Sequence, residues 1–287
     1  MASSSADKKK LPFAFRVFRA TVPVLETFAP FMARRMAFKA FFFPYRYELP
    51  EREQKLASEA RTIAITYKGL QLRGYEWGTE GPVILFMHGW SSRTTQFIFL
   101  IRACLAAGYR CVGIDAPGHG YSEGKRSDVL EFGESLLAFS KIIGPVDYVV
   151  SHSMGGTAVL YAAKRGFTAK KAVILATPAV AEDILEVSRL KMNASVKTRD
   201  QLRKEIFNRY NEDISEYVAA NVAKDAPMPP TLLIYDRDDE EAPAYHGELL
   251  NREIKGSILE YTSGLGHTRI LKDPDTITRV IGFLTND

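Results

Sequence analysis

Ser151-His152-Ser153-Met154-Gly155-Gly156 decides how this chain folds. The apolar run Val146–Val150 before it reads as a buried strand, and Thr157 to Ala163 after it reads as a helix. A serine between a strand and a helix, with small residues two positions to either side, is the pattern of a nucleophile elbow. The sharp turn lifts the hydroxyl above the sheet, and the small flanking residues let neighbouring backbone pass close to it. The usual pattern is G-x-S-x-G; here Ser151 stands at the first glycine.

Working outward, the pattern alternates between short apolar runs and helical stretches. Arg61–Tyr67 and Leu70–Trp77 flank Lys68-Gly69 and read as a hairpin. Val83–Met87, Tyr109–Ile114, Lys171–Ala176, Thr231–Tyr235 and Ser257–Tyr261 read as strands. Gln96–Ala107 and Val129–Ile143 read as helices stopped by Gly108 and Gly144, with a last helix from about Asp275. Strands alternating with helices build βαβ units, so the expected fold is α/β, a central mostly parallel sheet with helices on both faces. The alternation stops between Pro178 and Met228, which is charged and helical; a stretch that long is not a loop. It is expected to form a helical cap, at about 179–228, over the carboxyl ends of the strands.

The 287 residues suit one large α/β domain, and 46% apolar with 25% charged residues is ordinary for a globular protein. The two cysteines, Cys104 and Cys111, form no disulfide framework and read as buried and reduced. No Cys or His spacing suggests a metal site, and no cofactor is expected. Eight basic residues against two acidic ones put +6 on residues 1–43, leaving −2 of the overall +4 for the rest. No basic stripe runs through the body, which speaks against a nucleic-acid partner.

Residues 1–59 read as a basic, aromatic, helical extension ahead of a domain at 60–287. Residues 1–10 have the composition of a disordered segment. Nine of the 17 Phe fall in 11–43. Phe15, Phe18, Val22 and Leu25 have helical spacing, Pro23 and Pro30 interrupt, and a second helical piece restarts over 31–43. No uncharged run approaches the roughly 20 residues that cross a bilayer, and the n-region and h-region order of a signal peptide is missing. This segment is expected to pack on the body or on a second subunit, as a homodimer contact, since apolar helical stripes are usually core; lying on an anionic membrane surface and serving as a mitochondrial-type targeting segment are the alternatives. The expected location is cytoplasmic, with peripheral membrane association open.

A serine hydroxyl needs a base. Of five histidines, His267 lies in a glycine-flanked loop just past the last strand and can swing over Ser153; His88, His119, His152 and His246 are the alternatives. His88 reads better as a pin for its own loop. The imidazole needs a carboxylate, and Asp236-Arg237-Asp238-Asp239-Glu240-Glu241 follows the Thr231–Tyr235 strand, giving the order Ser, acid, His. Asp239 stands furthest over the site edge; Asp236 and Asp238 are alternatives. An oxyanion would be held by backbone N–H groups of Met154, at the helix start, and of Trp90, in the loop after Val83–Met87. Asp115–Ser122 reads as scaffold, and Arg93 and Gln96 either line the pocket or tie down its loop.

Together, His88-Gly89-Trp90, Asp115–Ser122, Ser151–Gly156, Asp236–Pro243 and Gly264–His267 resemble, in order and over roughly 60–287, the α/β-hydrolase fold superfamily. The similarity is greatest to small bacterial esterase- or lipase-like hydrolases. The resemblance implies a mostly parallel sheet, a cap at the insertion and a Ser153–His267–Asp239 triad. Serine at the elbow argues against the dehalogenase and epoxide hydrolase branches, which use aspartate there. The expected activity is hydrolysis of a small-molecule carboxylic ester through an acyl-enzyme. An acyltransferase or thioesterase using the same triad, and a catalytically silent membrane-associated binding module, are the alternatives.

Overall fold

The computed structural model describes residues 13–285; residues 1–10, expected to be disordered, lie outside the described residues. The chain opens with α1 (Phe13–Phe28), α2 (Pro30–Phe42) and α3 (Glu51–Glu59). Next come β1 (Arg61–Tyr67), β2 (Leu70–Trp77), β3 (Val83–Met87), α4 (Ile98–Ala106) and β4 (Arg110–Ile114). They are followed by α5 (Val129–Ile143), β5 (Tyr148–His152), α6 (Met154–Ala163) and β6 (Lys171–Leu175). Three helices, α7 (Ala181–Met192), α8 (Val196–Tyr210) and α9 (Ala219–Ala223), fill the stretch before β7 (Thr231–Asp236). The chain closes with α10 (Tyr245–Glu253), β8 (Ile258–Thr262), α11 (Gly266–Arg269) and α12 (Pro274–Thr285).

The eight strands form one sheet in the order β1-β2-β4-β3-β5-β6-β7-β8. Only β2 runs against the rest, because it is the return arm of the β1–β2 hairpin. Lys68 (φ 48) and Gly69 (φ 81) both adopt the left-handed region that a two-residue hairpin turn requires. All five residues of β3 are buried, yet they still alternate. Ile84 and Phe86 pack with Phe97, Leu100 and Val280 on one face; Val83, Leu85 and Met87 pack with Phe132, Leu136 and Ala158 on the other. Helices therefore cover both faces, and the continuous apolar run is what burial on both sides demands.

The insertion and the N-terminal helices share a separate apolar cluster. Val22, Ala37 and Phe42 pack there with Leu185, Met192, Leu202 and Ile206. The expected break at Pro23 does not occur: α1 runs through it, and the chain turns only at Ala29-Pro30. Pro23 lacks the N–H that would bond the Arg19 carbonyl one turn back, and Asn193 Nδ2 donates to that carbonyl instead, at 3.2 Å. Two smaller boundaries also shift. The helix expected at Gln96 begins with a 3-10 turn at Thr94–Phe97, and the elbow helix starts at Met154, so Gly155 and Gly156 lie inside it.

Candidate active site

Ser153 sits between β5 and α6 with φ 54 and ψ −131, a strained conformation for a residue with a side chain. Its surroundings leave no space for larger neighbours. A Cβ on Gly155 would lie 2.3 Å from the Met87 carbonyl oxygen, and one on Gly89 would lie 2.7 Å from Ser153 Cβ. Ser151, the departure from the usual pattern, is accommodated because its buried hydroxyl donates to the Val173 carbonyl of β6 at 3.2 Å.

The fold brings Ser153, His267 and Asp239 together. His267 Nδ1 lies 2.8 Å from Asp239 Oδ2, and His267 Nε2 lies 3.0 Å from Ser153 Oγ. A carboxylate can only accept, so Nδ1 carries the proton and Nε2 presents its lone pair to the serine hydroxyl. Asp239 is buried, and its other oxygen accepts the N–H groups of Glu241 (2.8 Å) and Ala242 (3.0 Å), which fixes the carboxylate.

The two alternative acids do other things. Asp236 accepts hydrogen bonds from Gly266 N (2.9 Å), Leu265 N (3.1 Å), Thr262 Oγ1 (2.7 Å) and Asp238 N (3.0 Å), so it holds the start of α11, the short helix that carries His267 in place of the expected loop. Burial would raise its pKa, but these hydrogen bonds outweigh burial and hold it below the ordinary value. Asp238 accepts the Gly264 N–H at 2.7 Å.

The remaining histidines are structural in geometry. His152 Nε2 donates to the His267 carbonyl at 2.7 Å, tying the elbow to α11. Burial, with the neighbouring His267, pushes its pKa down to about 3. His88 is buried between the Gly89 carbonyl (2.7 Å) and the Ala116 N–H (3.0 Å). Burial also lowers its pKa, and in this neutral form it pins its loop. His119 reaches the Pro117 carbonyl, and His246 reaches Asp183 of α7 at 2.8 Å.

Met154 is the first residue of α6, where a helix leaves its N–H without an internal partner. Trp90 follows the glycine that passes over Ser153, and both residues line the same cavity as Ser153 and His267. Arg93, buried, pairs with Glu53 of α3 at 2.7 Å, and Thr95 Oγ1 donates to the same carboxylate at 3.1 Å. Gln96 contacts Ser92. Arg93 and Gln96 thus both line the cavity and tie down its loop. Asp115 accepts from Thr94 N, Tyr75 Oη and Tyr121 N, consistent with a scaffold role for its loop. Arg46, a residue with no motif around it, donates to the carbonyls of Gly118, Gly120, Ser122 and Gly124.

Sequence reasoning also missed Glu241. Its carboxylate lies 3.8 Å from His267 Nε2 and 2.6 Å from Lys191 Nζ of α7. Burial would raise its pKa, but His267 in its protonated form and the Lys191 ammonium pull it below the ordinary value. The cavity over Ser153 has a volume of about 1330 Å³. Its apolar walls come from the insertion (Ile184, Val187, Met192, Ile206), from the N-terminal helices (Phe15, Phe18, Phe41) and from Trp90. Among the described residues, no group of three or more His, Cys, Asp or Glu is placed to hold a metal ion. Cys104 and Cys111 are free and buried.

The sequence family described as serine aminopeptidase, S33, matches residues 79–234, more than half of the chain. That span includes Trp90, Ser153 and Met154 and ends before Asp239 and His267. The chain is similar to the AB hydrolase superfamily protein YisY of Bacillus subtilis, 23% identical over 72% of this chain and 92% of that protein. It is 31% identical to a non-heme chloroperoxidase of Kitasatospora aureofaciens, but over 33% of this chain and only 35% of that protein's length. Among solved structures, an esterase of Pyrococcus furiosus superposes with a TM-score of 0.65 at 18% identity, covering 85% of this chain and 97% of that one.

Proposed function

This chain belongs to the serine aminopeptidase S33 family, within the α/β-hydrolase superfamily, and from that premise we propose that it hydrolyses carboxylic esters with Ser153, His267 and Asp239 as its catalytic triad. The observation that carries the reading is the unbroken chain of contacts from Asp239 through His267 to Ser153 on a strained elbow. A family name and a fold would not suffice, since the fold hosts many chemistries.

In the proposed mechanism Ser153 Oγ attacks the ester carbonyl while its proton passes to His267 Nε2. Asp239 holds the imidazole in the required tautomer and stabilises the imidazolium. The carbonyl oxygen becomes an oxyanion, held by the N–H groups of Met154 and Trp90; one such donor is typically worth about 3–4 kcal/mol. His267 then gives its proton to the departing alcohol, leaving an acyl-Ser153. Water, deprotonated by His267, attacks this acyl-enzyme, the acid leaves, and Ser153 regains its proton.

The helical insertion acts as the cap over the site. The large, mainly apolar cavity supports an acyl group of some length as the part of the substrate that is recognised. Glu241 beside His267 disfavours substrates that carry a negative charge next to the ester, because two carboxylates would share a partly dehydrated site.

The test is labelling of the folded protein with a fluorophosphonate, followed by peptide mapping and assay of p-nitrophenyl esters of increasing chain length. Modification of Ser153, and loss of hydrolysis by several orders of magnitude in Ser153→Ala, is the expected result. Undiminished hydrolysis in that variant would overturn the mechanism.

A further inference from the structure

Helix α1 is apolar on two sides. Phe18 and Val22 turn inward and pack with the insertion, and Phe15 and Phe18 line the cavity over Ser153. A second stripe, Phe13, Val17, Ala20, Val24 and Phe28, recurs every three or four residues and faces solvent. It continues past the Ala29-Pro30 turn into Phe31 and Met32 of α2. Phe13, Phe28 and Phe31 expose 79%, 83% and 66% of their surface. Single exposed apolar residues need no explanation, but seven on consecutive turns mark a contact surface.

The charges around this stripe decide what covers it. Arg16, Arg35 and Lys39 are exposed beside it. Glu26 is the sole acidic residue between 13 and 43, and its carboxylate turns inward to accept the N–H and hydroxyl of Ser195 at 2.8 Å each. The outer face is thus apolar with a positive rim and no outward negative charge. A two-fold pairing of copies sets like patch on like patch and would bring these cations together. An anionic lipid surface neutralises them and buries the stripe. Among the described residues no helix is long and apolar enough to cross a membrane, so the helices would lie in the interface.

We propose that this face of α1 and α2 seats the protein on an anionic lipid bilayer, and that the cavity takes acyl esters drawn from that bilayer. The substrate half rests on the ester-hydrolase reading above. The same helix presents one side to lipid and the other to the cavity, so an acyl chain leaving the bilayer passes around a single helix, about 10 Å thick, to reach the site.

The experiment uses the full chain carrying Ser153→Ala, sedimented with vesicles of phosphatidylcholine alone or mixed with phosphatidylglycerol. Binding to the mixed vesicles, weakened by salt and about tenfold or more stronger than to the neutral ones, is expected. The exposed triple variant Phe13→Ser/Phe28→Ser/Phe31→Ser should lose about tenfold or more of that binding. Made with Ser153 intact, the triple variant should keep hydrolysis of a soluble short-chain ester and lose hydrolysis of a vesicle-borne long-chain ester. Absence of binding to anionic vesicles, or equal binding with and without the three Phe, overturns the docking. A dimer dispersed by the triple variant, together with no vesicle binding, assigns the face to a second copy and also overturns it. Vesicle binding with hydrolysis of the soluble ester but of no vesicle-borne ester by the Ser153 protein overturns the substrate half alone, whereas hydrolysis of neither ester overturns the ester-hydrolase reading beneath it.

Discussion

Replacing His152 with Gln should flatten the acid side of the stability curve. His152 is buried in the neutral form, with its pKa pushed from 6.5 to about 3 by burial and by His267. In the unfolded chain the imidazole takes its proton near 6.5, so below that pH the unfolded state binds more protons than the folded one. Stability contributed by the neutral ring is therefore complete above pH 6.5 and is lost progressively as pH falls toward 3. At pH 5 the gap from 6.5 corresponds to about 2 kcal/mol, at about 1.4 kcal/mol per pH unit. Gln has comparable reach and can still donate to the His267 carbonyl, but it does not titrate. His88, His119 and His246 also have lowered pKa values through burial; they are common to both proteins and cancel in the difference. Urea denaturation of each protein at pH 7 and pH 5 reads the effect. Wild type should lose about 2 kcal/mol more than His152→Gln, a midpoint difference of roughly 0.7 M at a slope of about 3 kcal/mol/M. Parallel pH dependence in the two proteins would refute the reasoning, since it would mean that the ring is protonated in the folded state without penalty.

Three further outcomes separate residues that sit close together. Asp239→Asn should lower kcat on a p-nitrophenyl ester by about 10⁴ with little change in thermal midpoint, because the imidazole loses its tautomer. Asp236→Asn should behave in the opposite way, losing about 1–3 kcal/mol of stability as the N–H groups of Leu265 and Gly266 lose their carboxylate. Equal kcat losses in the two variants would deny Asp239 its special role. Glu53→Ala should cost about 3–5 kcal/mol in urea denaturation by stranding the buried Arg93, whereas Glu53→Leu/Arg93→Met should recover most of it; additive losses would show that the two residues are not coupled.

The sheet and elbow were legible because their signals are local. Burial on both faces makes a strand such as Val83–Met87 apolar throughout, and a strained turn before a helix demands small residues at fixed offsets. The positions of Asp239 and His267 followed from the same logic, each just past a strand of the sheet, although His267 lies on the short helix α11 and not in the expected loop. What sequence did not convey is polar and distant. The Arg93–Glu53 pair spans 40 residues, and the Asn193 side chain that lets α1 continue through Pro23 is 174 residues away from its acceptor at Arg19. Arg46 and its four carbonyls carry no periodicity, and Glu241 looks like one more charge in an acidic loop until α7 brings Lys191 beside it. Helical spacing identified the inward stripe of α1, but the outward one is visible only once the packing shows which side is covered.

The apolar cluster that joins the N-terminal helices to α7 and α8 has a consequence for chimaeras. Exchanging the insertion alone would be the simplest way to replace the cavity wall that it supplies. Here such a graft would strip Val22, Ala37 and Phe42 of their partners Leu185, Met192 and Ile206 and leave a wall of the cavity without its backing. The transplantable unit is discontinuous: residues 13–43 and 179–228 must be exchanged together, from the same donor, for the new cavity to keep its shape.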